Sequence, residues 1–268
     1  YLKRMDNSLI NISEYINRLL NKDYALDIID NDEGTLSSLK NDIYKVTVMM
    51  KEQNELLKQD KMLLANNLAD ISHQLKTPLT SISGYAEIMK NGVAREDDMK
   101  EFASRIYDEA NRLIRLVNDT IKLSQLDEKA ALPEMETVDL MTVAKDVEAS
   151  LGEQAAKLGI TLEVNGENCM VKGIHRLVSD MIYNFCENAV KYNKAGGFVS
   201  VTVSGGDMPS VTIADTGIGI PKEEQERVFE RFYRVDKSHS KETGGTGLGL
   251  SIAKHAADVT GAEISMES

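Results

Sequence analysis

The sequence predicts a multi-domain chain. An all-α coiled coil and helical hairpin, completing a four-helix bundle as a dimer, precede an α/β sandwich. Three observations predict this order. Residues 1–130 contain one proline, Pro78, and only three glycines, Gly34, Gly84 and Gly92, so little interrupts helix there. Apolar residues in that stretch recur at alternating spacings of three and four. After Ala130-Ala131-Leu132-Pro133 the pattern changes to short alternating runs between helix-length segments.

The elements follow in chain order. Residues 1–20 read as a helix with Leu9, Ile10, Ile12, Ile16, Leu19 and Leu20 apolar. Asn21 to Asp32 is a polar connector before Glu33-Gly34. Leu36, Leu39, Ile43, Val46 and Met50 form a heptad seam. The seam weakens across Gln53 to Lys61 and resumes at Leu64, Leu68, Ile71, Leu75, Leu79 and Ile82. Asn91-Gly92 and the charged Arg95-Glu96-Asp97-Asp98 mark a turn. A second amphipathic run carries Phe102, Ile106, Ala110, Leu113, Val117, Ile121 and Ser124 near one face. Residues 61–128 therefore make an antiparallel hairpin. Two helices alone cannot cover both of their faces, and a homodimeric four-helix bundle solves that.

Beyond Pro133, Val138 to Leu151 reads as a helix and Ile160 to Val164 as a strand. A long helix spans Ile174 to Tyr192, and strands are expected at Phe198 to Val203 and Ser210 to Ala214. A last helix covers Ser251 to Thr260, and Glu263 to Met266 begins a strand. The mixture predicts a sheet covered by helices on one face.

Composition narrows the function. A net charge of −12 disfavours nucleic acid and anionic lipid as general partners. A phosphate ligand must then be held by local groups. Cys169 and Cys186 are too few for a disulfide framework or a metal knuckle and read as buried thiols. No run of about 18 apolar residues spans a bilayer. The start at Tyr1 rather than Met, with Leu2-Lys3-Arg4 as a basic end, points to a piece of a membrane protein whose membrane segments lie outside this chain.

Four segments carry chemistry. Ser72-His73-Gln74-Leu75-Lys76-Thr77-Pro78-Leu79 is the first. At about 100° per residue, His73 points roughly 160° away from the seam residues Ile71 and Leu75, out to water. An imidazole with one unprotonated nitrogen is a competent nucleophile near neutral pH. Thr77 lies one turn further on the same face. Pro78 removes a backbone donor and is expected to bend the helix.

Asn184-Phe185-Cys186-Glu187-Asn188-Ala189-Val190-Lys191-Tyr192 is the second. Asn184, Asn188 and Lys191 share one helical face. Their side chains offer carbonyl oxygens to Mg²⁺ and positive charge to phosphate. Asparagine is a poor helix former, so two of them amid Met181, Ile182 and Phe185 are costly unless used. The third segment is Asp215-Thr216-Gly217-Ile218-Gly219-Ile220-Pro221, behind the apolar run Val211 to Ala214 and 27 residues after Asn188. Gly217 and Gly219 let backbone approach a ligand closely. The fourth, Gly244-Gly245-Thr246-Gly247-Leu248-Gly249-Leu250-Ser251, opens onto a helix and presents backbone N–H groups to anions. It lacks the Gly-Lys-Ser/Thr of a P-loop and follows a polar loop rather than a strand.

In this order, and over nearly the whole chain, the segments resemble the cytoplasmic portion of a bacterial two-component sensor histidine kinase. The resemblance implies a HAMP-like relay or a plain linker helix pair at 1–60. A dimerisation and phosphoacceptor hairpin follows at 61–130, and a Bergerat-type ATP-binding domain at 134–268. It implies that His73 takes a phosphoryl group from ATP and passes it to an aspartate of a response regulator receiver domain. Thr77 would orient a water that dephosphorylates the regulator. Asn188 and Asn184 would hold Mg²⁺, with Asn184 also supporting the phosphates, while Lys191 and Tyr192 contact the nucleotide. Glu187 would assist beside the metal or transferring phosphoryl, or be a surface carboxylate. Asp215 would accept the adenine amino group, with Gly217, Gly219 and Ile220 in the nucleotide-binding set. Gly245, Thr246, Gly247, Leu248 and Gly249 would close over the triphosphate. Phe229 and Phe232 resemble the family's F box, with Arg231 and Arg234 as candidate phosphate contacts. His175, His239 and His255 read as ordinary surface histidines. The family continues through one more strand than the chain's end at Ser268.

Gln74 departs from the family pattern, where a Glu or Asp often follows the histidine and can accept its proton. Glutamine has no ionisable group. Three readings stay open: the proton leaves to water, another carboxylate substitutes, or both kinase and phosphatase rates are tuned down. Two competitors also stand. One is an ATPase of the gyrase, Hsp90 or mismatch-repair type, which the His73 box argues against. The other is an ATP-binding scaffold or regulator phosphatase, which Gln74 favours.

Overall fold

A computed structural model describes residues 2–21, 35–92, 95–127, 133–235 and 245–268. The chain divides into two compact units, Tyr1–Ala69 and Asp70–Ser268. No helix among the described residues is long and apolar enough to cross a membrane.

In the first unit, α1 (Leu2–Leu20) lies beside the opening part of α2 (Thr35–Lys90). Ile12, Tyr15 and Leu19 of α1 are buried, along with Ser37 and Thr47 of α2. The Tyr15 hydroxyl donates to Thr47 Oγ1 at 3.0 Å, and Thr47 donates in turn to the Ile43 carbonyl at 2.8 Å. The face covered by α1 is thus a polar one, while Leu39, Val46 and Met50 of the predicted seam stay exposed. Helix α2 continues without a break through residues 53–61, where the seam weakens. The connector predicted at Asn21 to Asp32 lies outside the described residues after Asn21.

The second unit contains the hairpin and the α/β layers. Helix α2 runs on through Pro78, whose ring is buried, to Lys90. Gly92 has φ +65° and its N–H donates to the Met89 carbonyl, which ends the helix as the Asn-Gly pair predicts. Helix α3 (Glu96–Asp127) returns beside it, with the Tyr85 and Phe102 rings 5.3 Å apart. The buried face of α3 differs from the predicted one. Leu116, Leu123 and Leu126 are buried, while Val117 and Ile121 are exposed. The reason is a second layer: these leucines pack against Ile174, Leu177, Leu248 and Ile252 of the following domain.

That domain starts with a strand the sequence reading missed, β1 (Glu136–Asp139), so Val138 belongs to strand rather than helix. It pairs antiparallel with β3 (Met170–Gly173), also unforeseen, in the register Val138↔Val171. Both strands have four residues, too few for alternation to register. The Asp139 carboxylate caps α4 (Leu140–Lys157), accepting from Met141 N at 3.1 Å and Thr142 Oγ1 at 2.8 Å. These bonds, the Thr142 hydroxyl first, hold its carboxyl below the usual range.

A three-stranded sheet runs in the order β2 (Thr161–Gly166), β4 (Phe198–Ser204), β5 (Ser210–Asp215). The first pair is parallel and the second antiparallel. Val199, Val201 and Val203 point from β4 into the core. They meet α4 and α5 (His175–Lys191), whose buried residues include Ile182, Cys186, Ala189 and Val190. Helix α6 (Gly249–Thr260) completes the layer and ends at Gly261, with φ +73°. The strand expected at Glu263 to Met266 does not form: residues 262–268 pair with none of the described strands.

Candidate functional site

Helix α5 positions the asparagine pair. One face is spent on the core through Leu177, Val178, Ile182, Cys186 and Val190. Asn184 sits at the rim of that face and is itself 9% exposed. Its amide nitrogen donates to the Asp180 carbonyl at 2.7 Å, which turns Oδ1 away toward α6. Gly249 meets that oxygen so closely that a Cβ there would lie 2.6 Å from Oδ1. Only glycine opens α6 against Asn184. Asn188 and Lys191 follow on the same side, both half-buried.

The Gly-rich loop reaches the same place. A Cβ on Gly245 would stand 2.8 Å from Lys191 Nζ and 3.5 Å from the Tyr192 hydroxyl. Arg234 donates to the Gly245 carbonyl at 2.7 Å. Gly247, at φ +74°, accepts from Phe232 N at 2.9 Å, and Phe232 itself has φ +63°. Leu248 is fully buried under the loop. Gly244 and His239 lie outside the described residues.

The Asp215 loop folds against the end of α5. Asp215 Oδ1 accepts from Gly217 N at 2.7 Å, and Ile218 N donates to the Tyr192 carbonyl at 3.1 Å. A Cβ on Gly217 would strike that carbonyl at 2.6 Å, so glycine is required by the close approach. Ile220 N donates to Ser268 Oγ at 2.7 Å. Asp215 is exposed. The fold therefore brings Asn184, Asn188, Lys191, Tyr192, Arg234 and the loops of Gly217 and Gly245 to the C-terminal end of α5.

The charges here are not ordinary. Burial pushes the Lys191 ammonium down to about 8, with Glu187 partly offsetting it and Arg234, Arg115 and Arg112 adding to it. Burial also holds the Glu187 carboxyl above its usual range, opposed by Lys191 and reinforced by Asp119. Burial and then Glu187 raise the Tyr183 phenol. Such grouping of shifted residues marks functional sites.

His73 stands on the exposed surface of α2, as its phase against the seam predicts. Thr77 is exposed on the same face, its hydroxyl donating to the His73 carbonyl at 3.3 Å. Gln74 is half-buried. Leu75 joins the apolar cluster of Leu123, Leu248 and Ile252, so α2 meets the α/β layers within one turn of His73.

Two expectations need correction. Arg231 is no free phosphate contact: it pairs with Asp127 of α3 at 2.9 and 3.3 Å. His255 is no ordinary surface histidine, for its buried Nε2 lies 3.4 Å from Asp127 Oδ1. His175 is exposed. Sequence reasoning missed Asp119 altogether. Thr246 Oγ1 donates to its Oδ2 at 2.9 Å across 127 positions of chain. Lys122, which reaches Asp180 at 2.6 Å, was missed too. The available signal was a second stripe on α3, Leu116, Leu123 and Leu126, with Asp119 and Lys122 within it.

An exposed histidine on a helical hairpin, joined to a sandwich with a glycine-lined anion cradle, defines a phosphotransfer hairpin coupled to a nucleotide-binding domain. Comparison with known proteins agrees. Residues 64–129 match the His Kinase A (phospho-acceptor) domain, and residues 173–268 match the histidine kinase-, DNA gyrase B- and HSP90-like ATPase domain. The sensor histidine kinase YkoH of Bacillus subtilis is 34% identical over 236 residues, covering 87% of this chain and 51% of YkoH. The sensor-like histidine kinase SenX3 of Mycolicibacterium smegmatis is 36% identical over 194 residues, 71% of this chain and 50% of SenX3. The fold is that of histidine kinase ThkA, solved in complex with response regulator protein TrrA. That likeness has TM-score 0.55 at 21% identity and covers 69% of this chain and 55% of that one. The chain belongs to the sensor histidine kinase family. It spans about half the length of these curated relatives.

Proposed function

We propose that this chain autophosphorylates His73 with Mg-ATP within a homodimer and passes the phosphoryl group to an aspartate of a response regulator receiver domain. The observation that carries the reading is the cradle at the end of α5. Gly249 is pressed on Asn184 and Gly245 on Lys191, so glycine backbone approaches two polar side chains more closely than any Cβ would allow. The domain pairing supports a phosphoacceptor histidine on the same chain.

The triphosphate binds against the Lys191 ammonium and the N–H groups of residues 245–249 at the start of α6, where the helix dipole favours anions. Asp215 takes the adenine amino group beside Gly217, Gly219 and Ile220. An unprotonated His73 nitrogen attacks the γ-phosphorus, the bond from that phosphorus to the β-bridging oxygen breaks, ADP leaves, and the imidazole proton departs. The protein's work is positioning and charge balance. The Glu187 carboxyl, raised by burial, would receive that proton once the hairpin and the α/β domain are brought together for transfer.

The donor set fits a magnesium ion that arrives with nucleotide. Among the described residues no cluster of three or more His, Cys, Asp or Glu forms a cage. Asn188 and Asn184, whose Oδ1 faces Gly249, would offer amide oxygens to such an ion. When bound, the ion neutralises charge on the β- and γ-phosphoryl oxygens. Gln74 favours a second activity on the same hairpin, in which Thr77 orients water against the phosphorylated regulator.

Incubation with γ-labelled Mg-ATP tests the reading. Acid-labile label on the parent chain, absent from His73→Ala, is expected. No label on a chain that still binds nucleotide would replace it with the scaffold or phosphatase reading.

A further inference from the structure

The loop that would cover the triphosphate is fastened to the phosphoacceptor hairpin. One hydroxyl makes the joint: Thr246 Oγ1 donates to Asp119 Oδ2 at 2.9 Å and accepts from Leu248 N at 3.3 Å. Asp119 thereby reaches the first residues of α6. The same arrangement keeps Gly245 against Lys191 Nζ, with its carbonyl held by Arg234 at 2.7 Å. The loop thus lies where phosphate oxygens would meet the ammonium.

Asp119 is not a stray surface contact. Around it, Leu116, Leu123 and Leu126 pack on Leu248 and Ile252. Lys122 bonds Asp180 at 2.6 Å, and Arg231 bonds Asp127 at 2.9 Å. Arg115 and Lys122 from α3, Asp180 from α5 and the Thr246 hydroxyl are the groups whose fields it feels. Its own carboxylate adds negative charge to the Glu187 side of the site. A triphosphate entering beside Lys191 meets that charge, and the loop must swing off the ammonium to admit it.

We propose that Asp119 is a positioning residue of the phosphoacceptor hairpin that latches the Gly-rich loop through Thr246, so that nucleotide binding requires this bond to break. The proposal rests on the ATP reading of the site. It makes the hairpin a direct determinant of nucleotide affinity. Any rearrangement that draws α3 from the loop lowers the cost of ATP entry, and ATP entry weakens the grip on α3 by the same factor.

The full chain, with Mg²⁺ and a fluorescent ATP analogue, supplies the test by titration. Asp119→Ala tightens the dissociation constant about three- to tenfold, the worth of one net hydrogen bond. Asp119→Asn keeps an acceptor for Thr246 but drops the charge, and falls between parent and alanine. Being nearly isosteric, it decides the matter if the alanine variant unfolds. Asp127→Ala loosens the same interface without touching the loop, and changes affinity less than Asp119→Ala. A merely structural role predicts the opposite sign, weaker binding with a lower melting temperature. Unchanged or weaker binding in a folded Asp119 variant overturns the latch. A parent chain that binds no nucleotide overturns the ATP reading instead.

Discussion

The α/β layers and the helical hairpin treat equally apolar sequences in opposite ways. Val190, Val199 and Cys186 have no exposed surface, and Val201, Val203 and Leu151 have 1%. Leu64, Leu68, Ile114 and Ile121, at comparable spacings along α2 and α3, keep 50–69% of theirs. The sheet closes its core because β4 has a strand on each side and helices α4 and α5 across one face. A pair of helices has a single shared face, and what lies around the back meets water unless another layer arrives. Periodicity announces an apolar face. Topology decides whether the chain can cover it alone. The hairpin's open faces are the ones a second copy would close.

The sharpest way to break this contrast is to delete the same bulk from each region. Leu151→Ala removes a side chain from a closed core and is expected to cost about 2–5 kcal/mol of stability in denaturant unfolding. Leu68→Ala, on an open face, is expected to cost well under that at low protein concentration, with its cost rising as concentration rises and the dimer forms. Equal costs at every concentration would mean that the hairpin's apolar residues need no partner.

The second test charges the open face. Ile121→Glu leaves α3 helical but places a carboxylate on each copy in the proposed dimer seam. Dimer association should weaken about a hundredfold, ~2.7 kcal/mol, as read by analytical ultracentrifugation. Circular dichroism should hold the helix content unchanged. A dimer of undiminished strength would move the interface to another surface.

How far the fold was legible follows the same line. Long helices with regular spacing, α2 and α3, were readable, as were α5 and the strands β4 and β5. The four-residue strands β1 and β3 were not, because two alternations do not stand above noise. Leu116, Leu123 and Leu126 form a second, weaker stripe that was overshadowed by the run of Val117 and Ile121. The site divides likewise. Asn184, Asn188, Lys191, Asp215 and the glycines stand in motifs whose spacing betrays them. Asp119, Asp127 and Lys122 act through partners 58 to 127 positions away. Asp119 and Lys122 lie within the second stripe of α3, but nothing near them in sequence names the partner each meets. The Glu263 to Met266 run looked like a strand for the converse reason: alternation is necessary for an edge strand, and a pairing partner is needed as well.

Lys191 sharpens the contrast at the level of charge, since burial that stabilises apolar residues penalises this one. Its ammonium sits at about 8 against an ordinary 10.5. The free unfolded chain therefore holds more protons than the folded one between those values. The Lys191 contribution to stability rises with pH across that window, and its penalty is fully present below about 8. Nucleotide affinity should run the other way. Triphosphate favours the charged form, so binding weakens about tenfold per unit as pH climbs beyond about 8, with proton uptake visible by calorimetry in two buffers. Lys191→Arg keeps its charge throughout and should flatten the curve. A curve that bends equally in the arginine variant would assign the titration to another group.

The smallest expected effect concerns Gln74, and it turns on which region supplies the base. The hairpin offers an amide where a carboxylate would accept the imidazole proton, while the α/β domain offers Glu187, kept above its ordinary range by burial. If Glu187 does this work, the base reaches His73 only when the two regions are brought together for transfer. The His73 proton then leaves by a different route from the one Gln74→Glu would open. Installing that carboxylate next to His73 should raise autophosphorylation several-fold and move the lower limb of its pH profile, because the new group must be ionised to act. Glu187→Gln should slow the parent and be partly rescued in the Gln74→Glu background, since either carboxylate then suffices. A parent profile that neither substitution moves would mean that the proton goes to water, and that Glu187 is held near the cradle for its charge alone.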